Sequence, residues 1–108
     1  MKVFISVGMH KRSGEAVRKD IEMATLAICE RFGTDVEIIH NYDCPKPVVH
    51  SRLYYLGEAI KQLGKCDACY FVDGWQHHKG CVVEKTVCDI YGIQCIIESV
   101  DKLITKHI

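Results

Sequence analysis

Two acidic residues frame the stretch of this chain best equipped for chemistry. In Tyr70-Phe71-Val72-Asp73-Gly74-Trp75-Gln76-His77-His78-Lys79-Gly80-Cys81-Val82-Val83-Glu84, an apolar run suited to a buried strand breaks at Asp73-Gly74. A short polar loop follows, and a helical pattern opens at Gly80. In an open α/β sheet, ligands bind in the crevice outside the carboxyl ends of the strands. That rule puts Asp73 on a strand lip and Glu84 in the first turns of the next helix, with both facing one crevice. Two carboxylates across a small pocket are the equipment for breaking a glycosidic bond. A glutamate near a helix start is also favoured by the macrodipole alone, which would keep it ionised near neutral pH. Spacing by itself therefore leaves both explanations of Glu84 open.

Other polar positions belong to the same edge. Gly8-Met9-His10-Lys11-Arg12-Ser13-Gly14 leads from a first strand into a helix. Its glycines permit close backbone approach, the helix start offers free N–H groups, and Lys11, Arg12 and Ser13 could add contacts to a phosphate. Neither Gly-x4-Gly-Lys-Ser/Thr nor G-x-G-x-x-G is present, so the loop is no P-loop or dinucleotide fingerprint. The plainer alternative is a solvated turn with ordinary capping. Trp75 offers a flat face for a nucleobase, a stacking interaction worth about 1–3 kcal/mol, or else a lid over the core. Of Tyr54 and Tyr55, one is expected to lean inward while the other faces the pocket or a neighbouring subunit. No metal is expected: the side chains of His77 and His78 diverge as loop neighbours, and zinc needs three or four convergent ligands. His10, His40 and His50 are scattered among the loops and diagnose nothing alone.

The elements that must position these residues alternate regularly. Lys2–Val7 reads as a strand, and Ser13 or Gly14 caps a helix to about Phe32 with Val17, Ile21, Ala24, Ile28 and Phe32 on one face. Val36–Ile39 is a second strand. A polar loop from His40 to about His50 holds both prolines and is placed over the carboxyl end of the sheet. Ser51 caps a helix whose expected core face is Leu53, Leu56, Ile60 and Leu63. Cys69–Val72 is a third strand, followed by a helix over about Gly80–Tyr91 with Val83, Val87 and Ile90 inward. Ile93–Ile97 is a fourth strand, and Ser99 opens a terminal helix bearing Val100, Leu103 and Ile104. Gly33, Gly64 and Gly92 are the helix stops. Strand–helix repeated four times implies a single doubly wound α/β domain over residues 1–108, with a parallel sheet of about four strands in order 2-1-3-4 and helices on both faces.

Composition narrows the function classes. The 108 residues suit one domain, and 48% hydrophobic content fills one core. Fourteen basic residues balance fourteen acidic ones, so no overall field points to a nucleic-acid polymer or a membrane. No apolar run approaches a membrane span, and Met1–Ser6 enters a strand at once without signal-peptide anatomy. A cytoplasmic protein is expected. Seven cysteines are an odd number, and most fall inside periodic elements, where a free thiol behaves as a small hydrophobe. Cys66-x-x-Cys69 straddles a loop-to-strand junction and reads as packing rather than zinc.

Several of these segments together resemble the nucleoside 2-deoxyribosyltransferase-like superfamily, in particular its small bacterial and phage branch of unknown function. The resemblance is carried by Lys2–Ser6 with Gly8-Met9, by Tyr55-Leu56-Gly57 and Ala59-Ile60, and by Cys66-Asp67-Ala68 with Tyr70-Phe71. Gly74-Trp75, Lys79-Gly80-Cys81 with Glu84, and Tyr91-Gly92-Ile93 extend it over nearly the whole chain. Gly80-x-x-x-Glu84 is its most specific feature. The resemblance implies a flavodoxin-like fold, no cofactor, and cleavage of the base–sugar bond of a deoxynucleoside or its 5′-monophosphate. It implies that Glu84 attacks the anomeric carbon, that Asp73 handles the base and its proton, and that Gly8–Gly14 holds the 5′ end of the sugar. Gly8, Met9, Lys11, Arg12, Ser13, Tyr54, Trp75 and Gly80 are then the expected substrate contacts, in a homo-oligomer. Characterised members carry a tighter motif than Val83-Glu84-Lys85-Thr86. That departure motivates an alternative, a module that binds a nucleotide or nucleotide signal without cleaving it. A flavin or redox carrier, suggested by the strand order alone, ranks third.

Overall fold

The computed structural model describes residues 1–42 and 51–98. Four short strands, β1 (Lys2–Ser6), β2 (Glu37–Ile39), β3 (Ala68–Phe71) and β4 (Gln94–Ile97), form one all-parallel sheet in order β2-β1-β3-β4. Between them run α1 (Gly14–Phe32), α2 (Arg52–Leu63) and α3 (Lys79–Tyr91), with a single 3-10 turn at Trp75–His77 ahead of α3. The architecture is the expected doubly wound one, consistent with a flavodoxin-like fold. The expected terminal helix and most of the His40–His50 loop lie outside the described residues.

Strand alternation divides the interior in two. Val3, Ile5 and Val7 of the first strand segment join Ala68, Tyr70, Val72 and Ile96 beneath α1, whose Val17, Ile21, Ala24 and Ile28 close that face. Phe4, Cys69 and Phe71 point to the opposite face, where Ala59 and Leu63 of α2 and Cys88 of α3 cover them. Side chains on β1 alternate, so Ser6 falls on the α2/α3 face, in register with Phe71. It is the last residue of β1 and is almost fully buried.

Capping follows the expected chemistry. Ser13 Oγ accepts from the Ala16 N–H at 3.1 Å and Ser51 Oγ from the Tyr54 N–H at 3.2 Å, so hydroxyls satisfy free donors at the starts of α1 and α2. Gly92 ends α3 in the left-handed region at φ 72°, a conformation that favours glycine.

Two helix faces differ from the expected ones. Leu53 is 76% exposed, and α2 instead buries Ala59 and Leu63, with Leu56 and Ile60 half-covered. Leu53 sits in the first turn, at the sheet's carboxyl edge, and the small Ala59 takes the closest approach. On α3, Val83 and Ile90 face outward (38% and 69% exposed), while Cys81, Glu84 and Cys88 face in. Spacing of three and four aligns those three residues on one stripe, and a buried partner for Glu84 makes the stripe tolerable. Only Val87 of the expected trio packs against the core.

The two leucines of α2 give a direct check. Leu63→Ala is expected to destabilise the fold by about 2–5 kcal/mol as a core truncation. Leu53→Ala should stay within about 0.5 kcal/mol of the wild type. Chemical denaturation of both variants separates this helix phase from the one the spacing suggests, in which both would be costly.

Candidate active site

The sheet's carboxyl edge gathers the β1–α1 loop, the start of α2, and the β3–α3 loop. Glu84 lies on the buried stripe of α3 and is 6% exposed. Its Oε1 accepts a hydrogen bond of 2.7 Å from Ser6 Oγ. Two forces then act on the carboxyl group. Burial disfavours its charge, and the Ser6 hydroxyl favours it; burial wins and pushes the pKa up to about 7. This corrects the expectation of an ionised first-turn carboxylate. Glu84 is the sixth residue of α3, past the first turn where the helix dipole acts.

Cys81, one turn earlier on the same stripe, also lies in hydrogen-bonding reach of Ser6, and burial pushes its thiol up to about 11. Glu84, Ser6 and Cys81 thus form a small polar island on the α2/α3 face of the sheet. Strand spacing alone assigned no role to Ser6. Its signal was a hydroxyl closing an apolar strand two residues before Gly8.

Asp73 stands where expected, just past β3, with an exposed side chain. Its backbone N–H donates to Glu98 Oε2 at 2.7 Å, and Tyr70 Oη donates to Glu98 Oε1 at 3.2 Å. Glu98 is itself buried at the end of β4, so it anchors the lip that carries Asp73. Spacing assigns no role to Glu98, although an acid ends the run Cys95-Ile96-Ile97 at the carboxyl edge. The two candidate carboxyls therefore differ in kind: Glu84 is turned inward against the first strand, while the Asp73 side chain meets solvent.

The glycine loop is organised by Arg12. Its guanidinium donates to the Gly8 carbonyl at 2.8 Å and pairs with Asp20 at 2.6 Å. Those bonds hold the loop's shape, so Arg12 acts here as a brace rather than as an open phosphate contact. Lys11 is exposed and left-handed at φ 59°, inside a tight turn closed by the Arg12 N–H to the Met9 carbonyl at 3.2 Å. A side chain tolerates that conformation poorly. Met9 packs against the core beneath α1, and Ser13 is occupied as the α1 cap.

His78 explains Gly8. A Cβ added at Gly8 would fall 2.0 Å from His78 Cδ2 and 2.3 Å from Cγ and Nε2, so the imidazole lies directly over the glycine. The pair joins the first loop to the start of α3. Gly80 has ordinary room, its added Cβ meeting Leu56 Cδ1 at 3.9 Å, so packing does not require glycine there. Trp75 is half-buried with its ring 5.3 Å from that of Phe71, the lid arrangement. Tyr54 is 47% exposed on the first turn of α2, edge-on to Tyr55.

Cations surround this edge. The exposed His10 imidazole is held below its ordinary pKa, first by partial desolvation and then by its neighbours Arg52, Lys11, His78 and Lys79. Lys11, from the first loop, Arg52, at the start of α2, and Lys79, at the start of α3, thus form a positive rim. Among the described residues, no group of three or more His, Cys, Asp or Glu could hold a metal ion. No helix among them is long and apolar enough to cross a membrane. Comparison of the chain with protein-family models, with curated proteins and with solved structures finds no match.

Two measurements check this geometry. Gly8→Ala should destabilise the fold by roughly 1–3 kcal/mol through overpacking, and most of that loss should disappear when His78→Ala is added. Glu84→Gln should be more stable than the wild type above neutral pH. A carboxyl whose folded pKa is raised lends stability below its unfolded value that is lost as pH rises through the folded one. The window runs from about 4.5 to about 7, so the variant's advantage should reach about 3 kcal/mol at pH 8 and vanish near pH 4. Denaturation midpoints measured across pH would expose a flat difference if Glu84 were solvated.

Proposed function

We propose that this protein breaks the N-glycosidic bond of a deoxynucleoside or its 5′-monophosphate, with Glu84 as nucleophile. The observation that carries the reading is a carboxyl group buried at the sheet's carboxyl edge, oriented by Ser6 and held close to its ionisation point. Such a group gains from a ligand that excludes water and brings positive charge. A sugar carbon with oxocarbenium character is that ligand.

The reaction balances with this chain's own groups. Glu84, ionised, attacks the anomeric carbon; the C–N bond breaks and its electron pair leaves with the base. Asp73, at the solvent-facing lip, is the group proposed to handle the proton the base acquires. A glycosyl ester on Glu84 results. Water then yields free sugar, or a second base yields a new nucleoside, and the Glu84 carboxylate is restored. Ser6 orients the carboxyl and shares its charge.

The positive rim supports a monophosphate over a free nucleoside, since Lys11, Arg52 and Lys79 stand where a 5′-phosphate could dock. Gly8 and Gly80 would leave room for backbone approach, and Tyr54 and Trp75 would border the base. The proposal carries a small-molecule substrate, no resident cofactor and a cytoplasmic setting. A homo-oligomer belongs to the same reading, supported by the exposed Leu53, Tyr54, Ile90 and Tyr91 on α2 and α3. A binding-only module is the second reading, favoured by one observation: at neutral pH much of the Glu84 population in the free protein is protonated and not nucleophilic.

Incubation with deoxynucleosides and their 5′-monophosphates, followed by chromatography for free base, tests the proposal. Base release should rise with pH through about 7 as Glu84 ionises and should fall at least ~10³-fold in Glu84→Gln. Tight calorimetric binding that survives Glu84→Gln, with every ligand recovered intact, would instead establish the binding module.

A further inference from the structure

Three cysteines meet on the α2/α3 face, one turn of α3 from the Ser6–Glu84 pair. Cys69 of β3 and Cys95 of β4 are register partners in neighbouring parallel strands, so their side chains leave the sheet on the same face. Cys88 of α3 comes down onto them, and all three belong to one packed cluster. Cys69 and Cys88 are inaccessible to solvent, whereas Cys95 is half-buried on a strand at the edge of the sheet.

The chemistry of the three thiols is unequal. Cys88 is held below the ordinary thiol pKa, chiefly by a hydrogen bond from Cys69, with Cys95 adding a second. Burial pushes Cys95 up to about 11 and Cys69 upward as well. The Cys95 thiol has further acceptors in the Ile93 carbonyl at 3.5 Å and Asp89 Oδ1 at 4.0 Å, and Asp89 is paired with Lys85 at 2.7 Å. A half-buried thiol thus abuts a fully enclosed one in the same cluster, so an oxidant that reaches the first finds the second in place to resolve it.

We propose that Cys88 and Cys95 form a peroxide-oxidisable dithiol, a modification site at the edge of the sheet. The half-buried Cys95 thiol gives its proton to solvent, and the thiolate attacks one oxygen of hydrogen peroxide. The O–O bond breaks, the departing hydroxide takes up a proton from solvent and leaves as water, and Cys95 becomes a sulfenic acid. Cys88 gives up its proton and attacks that sulfur; the S–S bond forms as the S–O bond breaks, and a second water leaves. Two thiols lose two electrons and two protons, and one peroxide becomes two waters. Cys69, central and fully enclosed, stays reduced.

The bridge would also reach the carboxyl group. Glu84 and Cys88 lie one turn apart on the buried stripe of α3, so drawing Cys88 toward β4 moves the helix that presents Glu84. This coupling rests on the glycosidase reading; the oxidation itself does not.

The test is chemical. The reduced protein is treated with hydrogen peroxide, blocked with N-ethylmaleimide and digested with trypsin. One tryptic peptide, Thr86 to Lys102, holds both cysteines. It should appear unalkylated and lighter by two hydrogens, several-fold faster than the half-buried Cys29 or Cys66 loses its reactivity. Cys95→Ser should abolish that species and leave Cys88 protected in the folded chain. Recovery of the peptide with both thiols alkylated, a bridge to Cys69, or a bridge between two chains would overturn the proposal. In a separate arm, base release is assayed before and after oxidation and after dithiothreitol. A bridge that forms with unchanged activity refutes only the coupling to Glu84. Absence of base release in the reduced protein counts against the glycosidase reading alone.

Discussion

The hydrogen bond from Ser6 to Glu84 is the contact on which the rest of this molecule's chemistry depends. A carboxyl group taken out of water loses several kcal/mol unless something compensates its charge or it keeps its proton. Here the compensation is one hydroxyl at 2.7 Å, and it is incomplete, so the group sits between its two states. An apolar side chain of similar size would fill the same space at lower cost. A fold that retains an acid at such a point is less stable than it could be, which is the common condition of residues that act on something.

Everything around that pair fixes its position. The parallel register of β1 and β3 sets Ser6 level with Phe71. Small cysteines before and after Glu84 on the α3 stripe let the helix approach the sheet closely. The β1–α1 loop is braced by Arg12 between the Gly8 carbonyl and Asp20, and His78 covers Gly8 from the other loop. On the far side of β3, Glu98 ties down the Asp73 backbone and leaves that carboxylate to solvent. The Arg12 brace is local, but the Ser6–Glu84, Gly8–His78 and Asp73–Glu98 contacts join segments far apart in sequence, so the site exists only in the folded sheet.

Much of this was legible before any coordinates, and the failures have physical reasons. The alternation of strands and helices, the stops at Gly33 and Gly92, and the caps at Ser13 and Ser51 follow from local chemistry, and they survive intact. Helix phase is harder. Leu53, Val83 and Ile90 are as apolar as core residues, yet which side of a helix meets the sheet is decided by where a close approach is possible, and Ala59, Cys81 and Cys88 provide it. The place of Glu84 after the third strand marks it as a candidate, but its ionisation does not follow from that place, because the helix dipole depends on position in the helix while burial depends on the whole fold. Ser6, His78 and Glu98 act through partners 78, 70 and 25 residues away, and no spacing rule spans such distances.

The two faces of the sheet are not equivalent, and the difference bears on function. Beneath α1 the strands offer Val3, Ile5, Val7, Ala68, Val72 and Ile96, a mainly aliphatic layer whose one aromatic, Tyr70, bonds Glu98. Beneath α2 and α3 the same strands offer Phe4, Phe71, Ser6, Cys69 and Cys95, met by Cys81, Glu84 and Cys88. A one-residue slip of β1 would carry Ser6 to the aliphatic side and leave Glu84 without its donor. Burial of Val3, Ile5 and Val7 forbids that slip, since it would expose all three to the wrong face. The aliphatic layer is thus the device that holds the polar layer in register: α1 stabilises, and α3 is left free to carry groups that stabilise poorly.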